Sequence, residues 1–443
     1  MSKLIIANSR TQEMVGDLAL LTPEERVSGG WGAQRLFWFA EDGDILVLPW
    51  VAEDAYVDYV LGLTGTDRST LTLLVPPSGS LGPELLTPDR LADERFRAEL
   101  KEALAGRDVQ RIFTAYDDAF VVDLAKAMGI ESALPGFAFS EQGGVGLVNS
   151  KATFRAVAAG SGVAIAPGAI TASAEQAESV ITGILGRGRN VIVKKEFAGG
   201  GFGNEILATE EGVRPAGARN VVLLPDAEAI KAYVAERWSW LTGGRDDRLV
   251  IEEYFTNAVT VYAEFVITDE GCDLLGTGEI LMEPVAIGEI VPPRSLAPEA
   301  HKELVEAGRQ VCEPFRIMGY RGNISADAIL TQDGAIIFSE TNGRLTGSTH
   351  LHAVLRDRML APSHRGERVL VERATWSVPS FTGAVRMLND AGLGFDPETG
   401  TGVVLTGNYV PVNGKVMYCV VAEDLAAADA MVEAMLALTA DEK

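Results

Sequence analysis

The segment SADAILTQDGAIIFSETNGR, residues 325–344, carries carboxylates, an amide and a guanidinium at spacings that suit metal-ion chemistry. Asp333-Gly334 between two apolar runs predicts a two-residue hairpin turn, because both central positions of a type I′ turn need positive φ. With these two at the centre, Gln332 pairs with Ala335 and Asp327 lies opposite Glu340. Directly opposed residues hold their Cβ atoms roughly 4.5–5.5 Å apart, where like charges repel unless something positive lies between them. Asn342 follows Glu340 by two positions and faces the same side. Two carboxylates and an amide oxygen are hard ligands suited to magnesium, which completes its shell with waters and phosphate oxygens. A solvated polar sheet face accounts for the hairpin alone equally well.

A second cluster lies upstream. In VIVKKEFAGGGFGNEI, residues 191–206, Gly199, Gly200, Gly201 and Gly203 follow a strand that ends in Lys194 and Lys195. Glycines let backbone N–H groups approach phosphate oxygens, and a nearby lysine neutralises their charge. A flexible hairpin tip is the plainer account. No Gly-x-x-x-x-Gly-Lys-Ser/Thr occurs, and no helix pattern follows the glycines as a dinucleotide-binding turn requires. The protein-kinase catalytic signatures are missing as well. Lys151 opens a helix, where a surface lysine would be unremarkable. RLVIEEYF (248–255) reads as a strand with Glu252 and Glu253 between apolar residues. Arg294, His350 and His352 are candidates for holding a substrate carboxylate; His350 and His352 lack a third nearby ligand for zinc.

The elements that must position these groups alternate along the chain. KLIIA, DILVLPW, STLTLLV and VQRIFTA read as strands, with helices over DRLADERFRAELKEALAG and DDAFVVDLAKAMGI, which predicts a parallel sheet covered by helices over residues 1–147. SEQGGVGLVNS (140–150) breaks the pattern and marks a boundary. Two further units follow, 148–255 with the glycine loop and 256–370 with the hairpin, and strands and a helix over 371–443 form a small terminal lobe. The N-terminal sheet is compatible with pairing to an identical copy, although no pattern requires it.

The chain has 443 residues, too many for one ordinary core. Its formal net charge of −24 argues against a nucleic-acid binder, since phosphate-backbone recognition relies on basic patches. Cys272, Cys312 and Cys419 are too scattered for a disulfide framework or a zinc site, which fits a reducing cytoplasm. The opening apolar run, Leu4 to Ala7, is too short for a signal peptide, and no run approaches membrane-spanning length.

Taken in order, the helix-opening lysine, the strand lysine with its glycine loop, Glu-Glu-Tyr-Phe, and the acidic hairpin ending Glu-x-Asn-x-Arg resemble the ATP-grasp superfamily over residues 148–360. The resemblance implies an α/β and α+β architecture: an N-terminal pre-ATP-grasp domain, a two-lobed nucleotide-binding module and a small C-terminal lobe. The stretch ERVSGGWGAQRLFWFAED and the terminal lobe are similar to the pheganomycin-type peptide ligases, which join a guanidino-bearing amino acid to the amino end of a peptide. The implied chemistry is ADP-forming ligation of a small carboxylic acid to an amine or peptide, using ATP and Mg²⁺. Lys151 and Lys194 would contact ATP phosphates, and Gly199, Gly200, Gly201 and Gly203 would close over them. Glu252, Glu253, Tyr254 and Phe255 would line the adenine pocket. Asp327, Glu340 and Asn342 would hold magnesium, and Arg344 would face the reacting phosphoryl and acyl oxygens. Lys195 stands where many members carry proline or a small residue, leaving open which lysine reaches phosphate. Ala258, Val259 and Thr260 replace the ribose-binding glutamate of many members, for which Glu264 is a substitute candidate.

Overall fold

Branched apolar runs build three sheets in the computed structural model, which describes residues 2–244 and 247–439. The first sheet is parallel, in the order Thr72–Leu74, Ile45–Val47, Ser2–Ile6, Val109–Thr114. Successive residues of its central strand point to opposite faces. Leu4 and Ile6 pack with Phe96 and Leu100, while Ile5 joins a core containing Phe37, Trp38, Val403 and Tyr418. That second core ties the N-terminal sheet to strands near the end of the chain.

The helical pattern read over 89–106 divides in two, Pro88–Leu91 and Glu94–Leu104. Asp93 is the cause: its carboxylate accepts the Phe96 N–H at 2.8 Å and caps the second helix. The boundary read at 140–150 is not irregular throughout. It contains the short helix Gly144–Asn149, preceded by Gly143 at φ 74°, a left-handed corner that glycine adopts without strain.

The second sheet has five strands in the order Gly168–Thr171, Leu249–Tyr254, Asn190–Lys195, Asn204–Ala208, Val221–Leu223. Helices Ala174–Leu185 and Ala227–Leu241 cover one face, burying Val191, Val193, Leu207 and Ile251 with Ile181 and Tyr233. Ile192 and Lys194 alternate to the other face.

The third sheet has eight antiparallel strands: Ile336–Asn342, Gly322–Leu330, Val259–Ile267, Cys272–Met282, Ala286–Val291, Val369–Ser377, Lys415–Ala422, Gly402–Tyr409. Helix Pro298–Met318 buries Leu304, Val311 and Phe315 against Phe265 and Ala326. The segment beyond 370 does not stand apart as a lobe, since its strands extend this sheet. Residue 370 itself lies inside the strand Val369–Ser377.

The hairpin differs from its expected form. Thr331 pairs with Ala335 across a three-residue turn, its hydroxyl accepting the Ala335 N–H at 3.0 Å, and Gly334 takes φ 87°. Pairs near the turn, such as Leu330 with Ile336, are therefore one residue out of the expected register. An extra residue, Ser339, bulges from the second strand and restores it, so Asp327 does lie opposite Glu340 and Ser325 opposite Asn342.

Among the described residues, no helix is long and apolar enough to cross a membrane. The three cysteines are buried and free.

Candidate active site

A cavity of about 420 Å³ is lined by the glycine loop, by Leu249–Tyr254, by the acidic hairpin and by residues near the N-terminus. Its apolar lining includes Ala166, Ile192, Ile329 and Phe338, with the aromatic rings of Tyr254 and Phe255. Its charged lining includes Lys194, Glu252, Asp327, Glu340 and Arg344.

Lys194 points into this cavity and Lys195 away from it. Strand alternation divides them: Lys194 Nζ meets Glu252 at 2.7 Å, whereas Lys195 Nζ sits 4.0 Å above the ring of Trp240 on the helix-covered side. Glu252 also accepts from Arg155 at 2.6 Å, so a buried carboxylate balances two cations. Arg155 escaped the sequence reading. Its signal was available, because it lies four residues after Lys151 and shares that helix face.

Lys151 opens helix Lys151–Gly160, whose cap Ser150 accepts the Thr153 N–H at 3.1 Å. The same cap hydroxyl bonds Glu196, which is itself paired with Arg248 at 2.7 Å. This network docks the helix start against the end of strand Asn190–Lys195. Lys151 Nζ then reaches across to Glu340 at 2.7 Å and to the Ala198 carbonyl.

Gly199, Gly200 and Gly201 line the cavity, and Gly203 does not. Gly201 has φ 85°, and a Cβ there would lie 2.8 Å from the Gly217 carbonyl oxygen. Gly203 is constrained by packing instead: a Cβ would lie 2.3 Å from that of Ala198. Tyr254 spans to the segment beyond the loop, its hydroxyl donating to the Arg214 carbonyl and accepting the Ala216 N–H. Glu253 lines the cavity and pairs with Arg189 at 3.5 Å.

On the hairpin, Asp327 Oδ1 accepts from Ser325 and Oδ2 accepts from Asn342 Nδ2 at 2.9 Å. Burial, reinforced by Glu340, pushes the Asp327 carboxyl up to about 7. Burial acts on Glu340 in the same sense, but Lys151, Lys194 and Arg344 outweigh it and hold that carboxyl below its usual range. Asn342 Oδ1 accepts from Arg344 at 2.7 Å. The opposed carboxylates therefore sit in a frame of cations, with one of them short of positive charge. No group of three or more His, Cys, Asp or Glu suited to a metal gathers among the described residues. A divalent ion here would rely on Asp327, Glu340, the Asn342 amide oxygen and oxygens from water or ligand, a set that fits magnesium.

Four earlier candidates lie elsewhere. Glu264 is fully buried outside the cavity, where it accepts hydrogen bonds from Thr346, Ser348 and Thr349 and pins that loop. His350 pairs with Glu372 at 2.8 Å and His352 with Tyr262 at 3.1 Å, both inside the protein. Arg294 is exposed at the end of its loop, with its backbone N–H bonded to Glu279. Sequence spacing gave no sign of Arg10, Arg35 or Glu289, which line the cavity from distant parts of the chain.

Residues 33–130 match the family described as the Pre ATP-grasp domain, and residues 383–435 match the PGM1 C-terminal domain. This is the ATP-grasp fold. The sequence matches none of the curated proteins. Among solved structures, the chain is similar over its whole length to an N5-carboxyaminoimidazole ribonucleotide synthetase in an ADP complex, at 12% identity, 98% coverage of that chain and a TM-score of 0.60. A biotin carboxylase from Campylobacter jejuni, in complex with an ATP analogue, shares 16% identity over 98% of this chain and 90% of that one, with a TM-score of 0.59. The biotin carboxylase domain of 2-oxoglutarate carboxylase from Hydrogenobacter thermophilus, with MgADP and bicarbonate, shares 16% identity over 98% and 89% of the two chains, with a TM-score of 0.56. The ATP-grasp arrangement thus spans the chain, with the glycine loop on the five-stranded sheet and the acidic hairpin on the eight-stranded one.

Proposed function

We propose that this protein is an ADP-forming ligase that activates a carboxylate with ATP and transfers the acyl group to an amine. The observation that carries the reading is one cavity in which Lys194, the glycine loop, Asp327, Glu340, Asn342 and Arg344 all meet. The nucleotides and MgADP bound to structural neighbours support ATP and magnesium as the ligands.

In this reading the apolar lining, with Tyr254 and Phe255, takes the adenine ring. Lys194 and Lys151 exchange Glu252 and Glu340 for phosphate oxygens, so the nucleotide enters a cleft whose cations are already oriented. The backbone N–H groups of Gly199 to Gly201 close over the phosphates and exclude water, which would otherwise hydrolyse an acyl phosphate. Magnesium, when bound, would supply positive charge to offset that of the phosphate oxygens. Asp327, Glu340 and Asn342 are the residues that would hold it. The substrate carboxylate attacks the γ-phosphorus, giving acyl phosphate and ADP; the amine then attacks the acyl carbon, releasing phosphate and a proton. Arg344 steadies the charge that develops on the reacting oxygens. The finer proposal, carried by the similarity to the pheganomycin-type ligases, is a guanidino-bearing acid as donor and the amino end of a peptide as acceptor.

A second reading takes bicarbonate as the acid, favoured by the carboxylating enzymes among the structural neighbours. Phosphorus NMR of ATP with candidate acids and amines, run with and without bicarbonate, separates these. ADP and phosphate should form only with the true acid. Glu340→Gln should lower that rate by about 10²–10³-fold, the typical cost of removing one aimed charge-stabilising group. AMP and pyrophosphate, or near-normal turnover by the variant, would refute the mechanism.

A further inference from the structure

Besides Arg344, the cavity lining includes Arg10, Met14 and Arg35 from the loop and helical turns that follow the first strand. Arg10, four residues beyond strand Ser2–Ile6, lines the cavity from the N-terminal part of the chain. Its stem packs on Gly29, where a Cβ would approach Arg10 Cγ to 2.7 Å. Ser9 fixes the same contact by donating its hydroxyl to the Gly29 carbonyl at 2.8 Å. The neighbouring Gly30 is equally forced, since a Cβ there would collide with the Glu84 backbone. Gly29 is therefore the position whose missing side chain admits the arginine stem.

The guanidinium itself has no partner inside the protein. Arg10 makes no ion pair or hydrogen bond among the described residues, and the Glu25 carboxylate, which it feels at a distance, is occupied in capping its own helix through Thr22. The neighbouring charge that opposes it is Arg344, a second cation on the same cavity. A half-buried guanidinium that faces a second one across a shared cavity is stabilised when an anion lies between them. Arg344 has Asn342 Oδ1 and the Leu345 carbonyl as acceptors, whereas Arg10 has only the cavity.

We propose that Arg10 is a second guanidinium ligand, opposite Arg344, for the oxyanion that this site activates. The proposal rests on the ligase reading and adds a substrate-binding residue from outside the nucleotide-binding sheets. Its consequence is that the N-terminal domain completes the acid subsite, so the acyl donor is bound by the nucleotide module and the N-terminal domain together. Two guanidinium groups of this kind suit a carboxylate or a phosphoryl oxyanion, each able to accept paired N–H donors.

The test uses the full-length protein, with inorganic phosphate as the oxyanion probe. Thermal unfolding midpoints would be measured for wild type, Arg10→Gln and Arg10→Lys at constant ionic strength, with phosphate replacing chloride and with or without saturating Mg·ADP. Phosphate should raise the wild-type midpoint, and its apparent dissociation constant should increase about tenfold in Arg10→Gln, the loss of one charge-assisted contact. Arg10→Lys should recover part of the response. In chloride alone Arg10→Gln should be at least as stable as wild type, because a repelled cation has been removed.

The proposal is overturned if phosphate does not stabilise wild type, or if it stabilises Arg10→Gln equally. A large fall of the Arg10→Gln midpoint in chloride also overturns it, because the arginine would then be a structural strut. A wild type that ignores Mg·ADP sinks the nucleotide reading instead, and the phosphate response still decides the role of Arg10.

Discussion

Replacing Asp327 by asparagine should make the metal-free protein more stable while removing its nucleotide chemistry. The carboxyl is buried opposite Glu340 and pushed up to about 7, by burial first and by Glu340 second. An aspartate in the unfolded chain titrates at about 3.9. The folded state therefore holds the proton more tightly, and the stability linked to it is fully present below about pH 4 and lost as pH rises through about 7. Between pH 5 and pH 8 roughly two units of that difference remain to be lost, or about 2–3 kcal/mol. Asparagine can turn its oxygen to accept from Asn342 Nδ2 and donate its amide N–H to the Ser325 hydroxyl oxygen, and it carries no charge to repel Glu340.

The measurement is urea unfolding of wild type and Asp327→Asn at pH 5 and pH 8, in chelator. Other buried acids titrate too, Glu289 among them, raised by burial and then by Glu372. Their effects cancel in the comparison. The stability advantage of the variant should grow by about 2–3 kcal/mol from pH 5 to pH 8. Magnesium with ADP should then restore wild type at pH 8 and leave the variant unchanged. Parallel pH profiles, or a variant less stable at pH 8, would refute the reasoning, and the opposed carboxylates would lose their standing as a site poised for a cation.

Lys194→Ala should weaken magnesium-dependent ATP binding about tenfold, as expected for one charge-assisted contact, while Lys195→Ala, whose amine sits over Trp240, should leave it within about twofold; calorimetric titration reads both, and equal effects would reverse the assignment. Gly201→Ala should cost roughly 1–2 kcal/mol locally, because φ 85° and the Gly217 carbonyl both oppose a side chain. Its expected signature is a higher ATP KM and faster hydrogen exchange confined to the loop; unchanged kinetics would mean that this loop is no lid.

The hairpin shows how a correct pairing can be read from an incorrect turn. Asp333-Gly334 implied a two-residue turn, yet Thr331 closes a longer one with its own hydroxyl, also bonding the Asp333 carboxylate. The Ser339 bulge compensates by one residue, so Asp327 meets Glu340 as the simple count expected. Neither side-chain closure nor a bulge has a strong local signature, because both satisfy the same alternation of apolar residues. The strand lysine, the glycine loop and the acidic pair were legible because their chemistry depends on short-range spacing.

What the spacing hid is the set of charges that meet across elements. Glu252 was read as lining the adenine pocket, but nothing in its spacing told that it is buried between Lys194 and Arg155. Glu264 looked free to reach a ligand, but three hydroxyls of the 346–349 loop had already captured it. Arg10 is the extreme case, separated from Arg344 by most of the chain and brought to it only when the N-terminal sheet packs on strands beyond residue 400. That packing joins Ile5 and Trp38 to Val403 and Tyr418, so Arg10 takes its place at the cavity only in the completed fold.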